Sequence, residues 1–409
     1  MKNNKSKTYP EQSRRIKIIF SVILLFDVFG MAPYQFATGQ AKSSEAAEYY
    51  VSPAGSGTTC SNASPCPMLY GVNTKAVAGD TVIFKTGTYN RTNELAPGYL
   101  LYITHGGTDG NLITLKSETK YGAILDGENN DECVAFNKYA SYIRIENFEI
   151  KNCTVGIISS DTPGASNIYI YGNHIHNLTH HGIDFVSGSN YWTIDSNIIH
   201  DLDPTPVNPT WHPYGIYAAY DVSNTTIVNN VFYNIKNGYH IHIYAHGDPD
   251  PQQNTKIVNN TFADESLEYT GQIIIAAVSP NLLIENNIFY NPTTAAIRAV
   301  YYGNIGQGII IRNNLTNSSL ICTGTDCGNL TFANNITSSD PNFFDSLNHN
   351  YHLFSNSPAI NTGLATNAPS ADFDNNTRPQ GSAYDIGAYE YISASDTTPP
   401  SAPSGLSVN

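Results

Sequence analysis

Apolar and polar residues alternate along most of the chain between residues 48 and 340. The stretch Tyr142-Ile143-Arg144-Ile145 is one example, in which every second side chain is aliphatic. A period of two residues predicts β-strands with one buried face, and the abundance of Thr, Ile and Tyr favours strands as well. The pattern therefore predicts an all-β protein.

A second pattern recurs within the first, because Asn follows an apolar strand at regular stages of the chain. The recurring Asn stands at positions 147, 173, 197, 230, 260, 287, 314 and 335, at intervals of 26, 24, 33, 30, 27, 27 and 21 residues. Helical repeats keep a tighter period, whereas coils of variable length with a fixed turn suit a parallel β-helix. A β-sandwich with Asn-rich turns is the alternative.

Asn suits such a turn for two reasons. It tolerates the left-handed backbone region, and stacked Asn amides can hydrogen-bond from one coil to the next, about 4.8 Å apart. We therefore expect Asn173, Asn197, Asn230, Asn260, Asn287 and Asn314 to stack in one line.

The chain divides into four predicted parts. Residues 1–39 are typical of a signal peptide, because basic residues precede a short apolar run that ends before the small residues Ala37-Thr38-Gly39. Residues 48–340 form the predicted solenoid, opened by a capping helix from Pro67 to Ala78. Residues 341–391 lose the Asn period and are expected to cap its C-terminal end. Residues 392–409 read as a linker and the start of another module.

Charge and cysteine content narrow the function. The formal net charge is −14, which does not favour binding to nucleic acid or to anionic membranes. Six Cys in an exported chain predict disulfides rather than a zinc site. The predicted pairs are Cys60–Cys66, Cys133–Cys153 and Cys322–Cys327, with Cys133 and Cys153 at equivalent places after turns at Gly127 and Asn147.

Several motifs carry a resemblance to a known family. Tyr49-Tyr50-Val51-Ser52-Pro53, Ala78-Gly79-Asp80-Thr81 and Gly87-Thr88-Tyr89 resemble the opening of bacterial pectate-lyase-like proteins over residues 48–340. The resemblance implies a right-handed parallel β-helix and a secreted protein that acts on a polysaccharide. Motifs between Asp340 and Glu390 are similar to the choice-of-anchor region that follows many such helices. Residues 397–408 resemble a linker followed by the first strand of a fibronectin type III domain.

Strand alternation predicts which side chains point outward in the middle coils, where nine of the twelve His fall between residues 174 and 246. The residues between or before the inward-facing side chains would form an outward ladder. The side chains predicted to face inward are Ile183, Phe185, Ile216, Ala218, Tyr239, Ile241, Ile243, Ile273, Ile275, Ile297 and Ala299. That predicted ladder is Asp184, Tyr217, His240, His242, Gln272 and Arg298. Loops at residues 201–213 and 244–253 would line a groove along it.

This composition suits a polyuronate lyase or C5-epimerase, which needs a cation for the substrate carboxylate, a base and an acid. The predicted catalytic residues are Arg298 for the carboxylate, His240 or His242 as the base, and Tyr217 as the acid. The predicted substrate-binding residues are Asp184, His181, Trp211, His212, His246 and Gln272, and Asp248 and Asp250 are candidate ligands for Ca²⁺. No other cofactor is expected.

Two other functions remain open. A non-catalytic carbohydrate-binding or adhesion protein would share the fold and the acidic surface. A glycoside hydrolase would need two carboxylates at a defined separation in the groove, and no Asp pair of the polygalacturonase type is found. For all three we expect a monomer that is secreted or displayed at the cell surface, with no membrane span once the signal peptide is removed.

Overall fold

A computed structural model describes residues 46–91, 98–202, 212–235, 237–245, 251–263, 271–300 and 305–393. These residues belong to one compact unit. The predicted signal peptide at 1–39 and nearly all of the predicted terminal module at 392–409 lie outside them. The described chain confirms the all-β prediction, because three parallel sheets wind into a right-handed β-helix.

The three sheets, here named A, B and C, are visited in that order in each full coil. Sheet A contains Glu48–Val51, Thr81–Phe84, Ile113–Ser117, Ile143–Glu146, Ile168–Tyr171, Thr193–Asp195, Thr226–Val228, Lys256–Val258, Leu283–Glu285, Ile310–Arg312 and Thr331–Ala333. Sheet B contains Gly87–Tyr89, Ala123–Asp126, Glu149–Lys151, His174–Leu178, Ile198–Leu202, Val231–Ile235, Thr261–Phe262, Ile288–Phe289 and Leu315–Thr316. Sheet C contains Tyr99–Ile103, Glu132–Phe136, Ile157–Ser159, Ile183–Val186, Tyr214–Ala219, Tyr239–Tyr244, Ile273–Ala276, Ile297–Ala299 and Cys322–Thr323.

Like side chains stack on like inside the solenoid. Phe232, Phe262 and Phe289 occupy one column of sheet B, with ring centroids 5.0 Å apart at each step. Each ring is fully buried, and burying such a side chain contributes about 1.5–3 kcal/mol. Repetition of these columns holds the coils together.

The predicted Asn ladder is confirmed, with one change of register. From Asn197 through Asn335, each ladder Asn accepts the backbone N–H of the ladder Asn in the previous coil at 2.9–3.0 Å, and the first donor is Asn173. Asn147, the first of the recurring Asn, lies outside this line, since Asn173 Oδ1 accepts the N–H of Phe148. Asn147 occupies the preceding, left-handed turn position, at φ 65°.

The N-terminal cap is shorter than predicted. A turn of α-helix at Met68–Tyr70 continues as a π-helical turn at Gly71–Lys75, and Met68 and Val72 insert into the core. All three predicted disulfides are present. The reasoning for Cys133–Cys153 was wrong in register, because strand pairing aligns Asn147 with Gly122 rather than Gly127.

The region at 341–391 does not cap the solenoid end but runs back along its side. It begins with an antiparallel pair, Phe343–Asp345 with Asn350–Leu353, joined by a 3₁₀ turn at Ser346–Asn348; a second 3₁₀ turn lies at Cys327–Asn329. Its apolar residues pack on the outer face of sheet B in two clusters. The sequence suggested a cap because the Asn period stops there, which shows only that no further coil is added.

Candidate functional site

The outer face of sheet C departs from simple alternation. At the start of each strand two consecutive residues point inward, so the outward positions before and after them lie three residues apart. In one coil Tyr214 and Tyr217 are outward while Gly215 and Ile216 are inward, and in the next Tyr239 and His242 flank His240 and Ile241. A strictly alternating pattern cannot predict this arrangement, because it fixes only one residue between neighbours on the same face.

The predicted orientation of His240 and Gln272 is therefore wrong, and so is that of Tyr239. His240 is 1% exposed and its ring lies between Phe232 and Phe262, with centroids 6.1 and 5.8 Å away. Burial lowers the pKa of His240 to about 3. Gln272 is also fully buried, and its amide donates to the carbonyl of Tyr290. Neither side chain can reach a ligand on the outer surface.

The other predicted ladder residues do share the outer face. Asp184, Tyr217 and His242 are register partners on successive coils, followed by Ile274 and then Arg298. A second outward row, three residues earlier in each coil, adds His181, Tyr214 and Tyr239. We name the polar members the outer-face cluster: His181, Asp184, Tyr214, Tyr217, Tyr239, His242 and Arg298.

One end of the outer-face cluster is a histidine–carboxylate pair. His181 Nδ1 lies 3.0 Å from Asp184 Oδ2, and the other ring nitrogen, Nε2, is buried without a hydrogen-bond partner. The His181 ring lies 5.0 Å from that of Tyr214 and 4.9 Å from that of Tyr217. A carboxylate on Nδ1 leaves the Nε2 lone pair directed at whatever binds there.

The middle of the cluster is aromatic. His242 packs edge-on against Tyr214 at 4.5 Å and Tyr217 at 5.4 Å. Its Nδ1 is buried without a hydrogen-bond partner. Burial, and then the neighbouring imidazoles of His181 and His212, lower the pKa of His242 to about 3. The ring is consequently neutral near pH 7. The role of His212 in substrate binding stays a prediction.

Arg298 forms the other end. Its Nη1 donates to the hydroxyl of Tyr239 at 3.0 Å, and the Tyr239 ring lies 5.8 Å from that of His242. No carboxylate pairs with Arg298 among the ion pairs of the described residues. Within the described part of the chain, its positive charge is therefore not neutralised by a carboxylate.

Sequence reasoning missed Glu132. It lies in the same outward row as His181, two coils earlier, and burial together with the Asp184 charge raises its pKa to about 7. A spacing of three residues between outward positions would have identified it, since Glu132 and Ala135 flank the inward pair Cys133 and Val134. Glu132 and Asp184 are two carboxyl groups on one face, and the pKa of Glu132 is raised.

The remaining predicted site residues, Trp211, His246, Asp248 and Asp250, lie outside the described residues. In the sequence they adjoin the sheet C strands Tyr214–Ala219 and Tyr239–Tyr244, which carry the outer-face cluster. Their roles stay predictions.

Comparison with known proteins agrees with this architecture. Residues 96–262 and 185–377 match the family described as the right handed beta helix region. The matched segments together span more than half of the chain, so the protein belongs to this family. A search of curated protein sequences finds no match.

Solved structures share the fold at low sequence identity. The pectate lyase Pel9A is 16% identical with a TM-score of 0.57, covering 85% of this chain and 97% of the lyase. A glycoside hydrolase is 9% identical with a TM-score of 0.50, covering 72% and 97%. An alginate lyase from Paenibacillus sp. str. FPU-7 is 16% identical with a TM-score of 0.44, covering 72% and 98%. These similarities concern the fold.

Among the described residues no helix is both long and apolar enough to cross a membrane. The described helical segments are single turns.

Proposed function

We propose that the protein is a secreted lyase or C5-epimerase that acts on a uronic-acid-containing polysaccharide such as pectate or alginate. The observation that carries this proposal is the juxtaposition of Arg298, Tyr239 and His242 on one partly buried outer face. Both reactions begin with removal of the proton beside the substrate carboxylate. They need a cation at that carboxylate and a neutral base next to it.

In the proposed site Arg298 binds the uronate carboxylate and Tyr239 positions the guanidinium. His242 is the base, because its Nδ1 has no partner and its ring is neutral. Its pKa in the free protein makes it a weak base, but a bound carboxylate brings a negative charge that raises the pKa of a neighbouring imidazole. Tyr217, whose ring is 5.4 Å from that of His242, is the proton donor for the leaving oxygen.

The His181–Asp184 pair is the competing candidate for the base. Asp184 would stabilise the imidazolium that forms on His181, as carboxylates do for catalytic histidines. The pair is further from Arg298 along the face, since Tyr214 and Tyr239 lie between them. We therefore assign it to binding the sugar chain, together with Tyr214.

Calcium dependence is part of the proposal. Ca²⁺ takes six to eight oxygen ligands, and within the described part of this face Glu132 and Asp184 offer carboxylates. Asp248 and Asp250 stay the proposed additional ligands. Activity measured after removal of calcium with a chelator, and again after calcium is restored, tests this part separately.

The test is a screen of uronate polymers for unsaturated products, which absorb in the ultraviolet, and for inversion at C5 by NMR. His240 and His242 provide a matched pair, since they are neighbours of which only His242 faces outward. His242→Phe and Arg298→Ala should each lower turnover by about 100-fold or more. His240→Phe should retain it. Full activity in His242→Phe together with loss in His181→Asn would move the base to His181.

A glycoside hydrolase is the second candidate, and Glu132 is the observation that favours it. A carboxyl group whose pKa is raised to about 7, on the same face as a second carboxyl group at Asp184, resembles the acid and base of a hydrolase. New reducing ends without an ultraviolet-absorbing product would establish that reading. Saturable binding with neither product would instead identify a carbohydrate-binding surface protein.

A further inference from the structure

Three histidines meet on the outer face of sheet B, on a different sheet from the outer-face cluster. His174 and His176 are alternate residues of the strand His174–Leu178, so their side chains point to the same side. His200, in the strand of the next coil, is the register partner of His176. The proposed polysaccharide site uses none of these residues.

The three rings direct nitrogens toward one another. His174 Nε2 and His200 Nε2 are 2.7 Å apart, and His176 offers a ring nitrogen within 4.8 Å of both partners. Two imidazole nitrogens at 2.7 Å cannot both carry a proton. At least one lone pair therefore points into the space between the rings.

Carboxylates hold two of the rings from outside. His200 Nδ1 lies 2.9 Å from Asp201 Oδ2, and His176 Nε2 lies 3.3 Å from Glu149 Oε1. When Nδ1–H of His200 donates to Asp201, Nε2 is left with the lone pair. A carboxylate on the far nitrogen is the arrangement that orients histidine ligands in metal sites.

We propose that His174, His176 and His200 bind one divalent transition-metal ion of the kind that prefers imidazole, with Zn²⁺ as the leading candidate. Imidazole suits Zn²⁺, Cu²⁺ and Ni²⁺, and three histidines leave a fourth position for water. Zn–N distances of about 2.0–2.1 Å separate tetrahedral ligand nitrogens by about 3.3 Å. The nitrogens must shift by about an ångström, which side-chain rotation supplies.

The position of the cluster allows both access and a structural effect. His174 and His200 are each 5% exposed, while the His176 side chain is 13% exposed and gives solvent a route to the cluster. The His200 ring stacks on Tyr233 at 4.4 Å, and Tyr233 stacks on His349 of the C-terminal region at 4.2 Å. A bound metal would fix His200 and so stiffen the contact between the solenoid and that region.

The experiment uses the folded protein with any histidine tag removed, freed of metal by dialysis against a chelator. Zn²⁺ is titrated by calorimetry, and Co²⁺ serves as a spectroscopic substitute because its visible absorption reports tetrahedral coordination. His176→Gln removes the most accessible ligand. His105→Gln is the matched control, since His105 binds the Ala76 carbonyl far from the cluster.

We expect one equivalent of Zn²⁺ to bind with submicromolar affinity, an intense tetrahedral Co²⁺ spectrum and a higher melting temperature. His176→Gln should weaken binding by on the order of 100-fold and Asp201→Asn by about tenfold, while His105→Gln leaves it unchanged. Two results would overturn the proposal: the absence of saturable binding at Zn²⁺ concentrations up to about 100 times the expected Kd, or equal affinity in His176→Gln. If His176→Gln fails to fold, X-ray absorption of the Co²⁺ form of the parent protein decides, because fewer than three imidazole ligands would refute the site.

Discussion

Asn259 and Asn260 are consecutive residues in one turn, yet the side chain of Asn260 bonds to neighbouring coils and that of Asn259 bonds to the C-terminal region. Asn260 points inward and joins the ladder, donating to Asn287 Oδ1 and to the carbonyl of Ile227. Asn259, at φ 53°, points outward and donates to the carbonyls of Asp385 and Gly387 in the C-terminal region. The Asn-Asn pairs therefore combine a coil-to-coil contact with a docking contact.

Replacing Asn260 by Leu should lower the free energy of unfolding by about 3–5 kcal/mol. The substitution removes the acceptor of the buried backbone N–H of Asn230, a hydrogen bond from its side-chain amide and one hydrogen bond to the carbonyl of Ile227, at about 1–3 kcal/mol each. The measurement is equilibrium unfolding in urea. Asn335→Leu is the control and should cost less, because Asn335 is only partly buried at the last step of the ladder. Equal losses in the two variants would contradict this role.

Asn286→Gly should loosen the C-terminal region while the coils stay intact. Glycine keeps the left-handed turn at φ 56° without strain but removes the two hydrogen bonds that Asn286 makes with Leu364. Hydrogen exchange should accelerate around residues 364–391 and stay unchanged in sheet A. Ser196→Gly, at an equivalent turn position whose side chain bonds to Asp195, should leave residues 364–391 protected.

The sequence predicts the solenoid well because its signals are local and repeated. The coils from Asn173 to Asn335 repeat the same Asn, and the apolar columns repeat as well, so one departure at Asn147 does not alter the architecture. The path of residues 341–391 was not predictable in this way. It depends on contacts such as Arg378 with Asn229, 149 positions apart, and on outward Asn side chains that look like ordinary turn residues.

The candidate site was predicted in part for a related reason. Asp184, Tyr217, His242 and Arg298 follow the alternation and were placed correctly on the outer face. His240 and Gln272 were not, because the chain directs two successive side chains inward at the start of each strand. The glycines at 182 and 215, which precede His240 in the same column, were a sequence signal for that change. A Cβ at Gly215 would lie 2.5 Å from the His240 carbonyl oxygen.

His240→Phe should remove part of the acid sensitivity of the fold. His240 has a pKa of about 3 in the folded protein and about 6.5 when unfolded, so below pH 6.5 the unfolded chain binds a proton that the folded chain does not. Because of His240, the free energy of unfolding therefore falls as the pH is lowered from about 6.5 to 3, by up to about 1.4 kcal/mol per pH unit. The difference between variant and parent, measured by urea unfolding, should grow in that range and stay constant above pH 7. A difference independent of pH would contradict the buried placement of His240.

Glu132→Gln should stabilise the protein above pH 7 and have little effect at pH 4. Burial, and then the charge of Asp184, raise the pKa of Glu132 to about 7, so the folded protein keeps a proton that the unfolded chain releases near pH 4.5. Between those values the folded state binds more protons than the unfolded state, and its stability falls as pH rises. Gln has no charge to desolvate, and it can occupy the same position. The Oε2 atom of Glu132 has no hydrogen-bond partner that the substitution would remove. We expect a gain of about 1–2 kcal/mol at pH 8, allowing for screening by solvent at this half-buried group.

Asp184→Asn should give a smaller gain of the same sign at Glu132, because it removes the charge of Asp184 and leaves burial in place. Urea unfolding of the three proteins at pH 4, 6 and 8 measures the effect. A loss of stability in Glu132→Gln at pH 8 would mean that Glu132 is ionised and paired, and would remove it from consideration as the acid of a hydrolase.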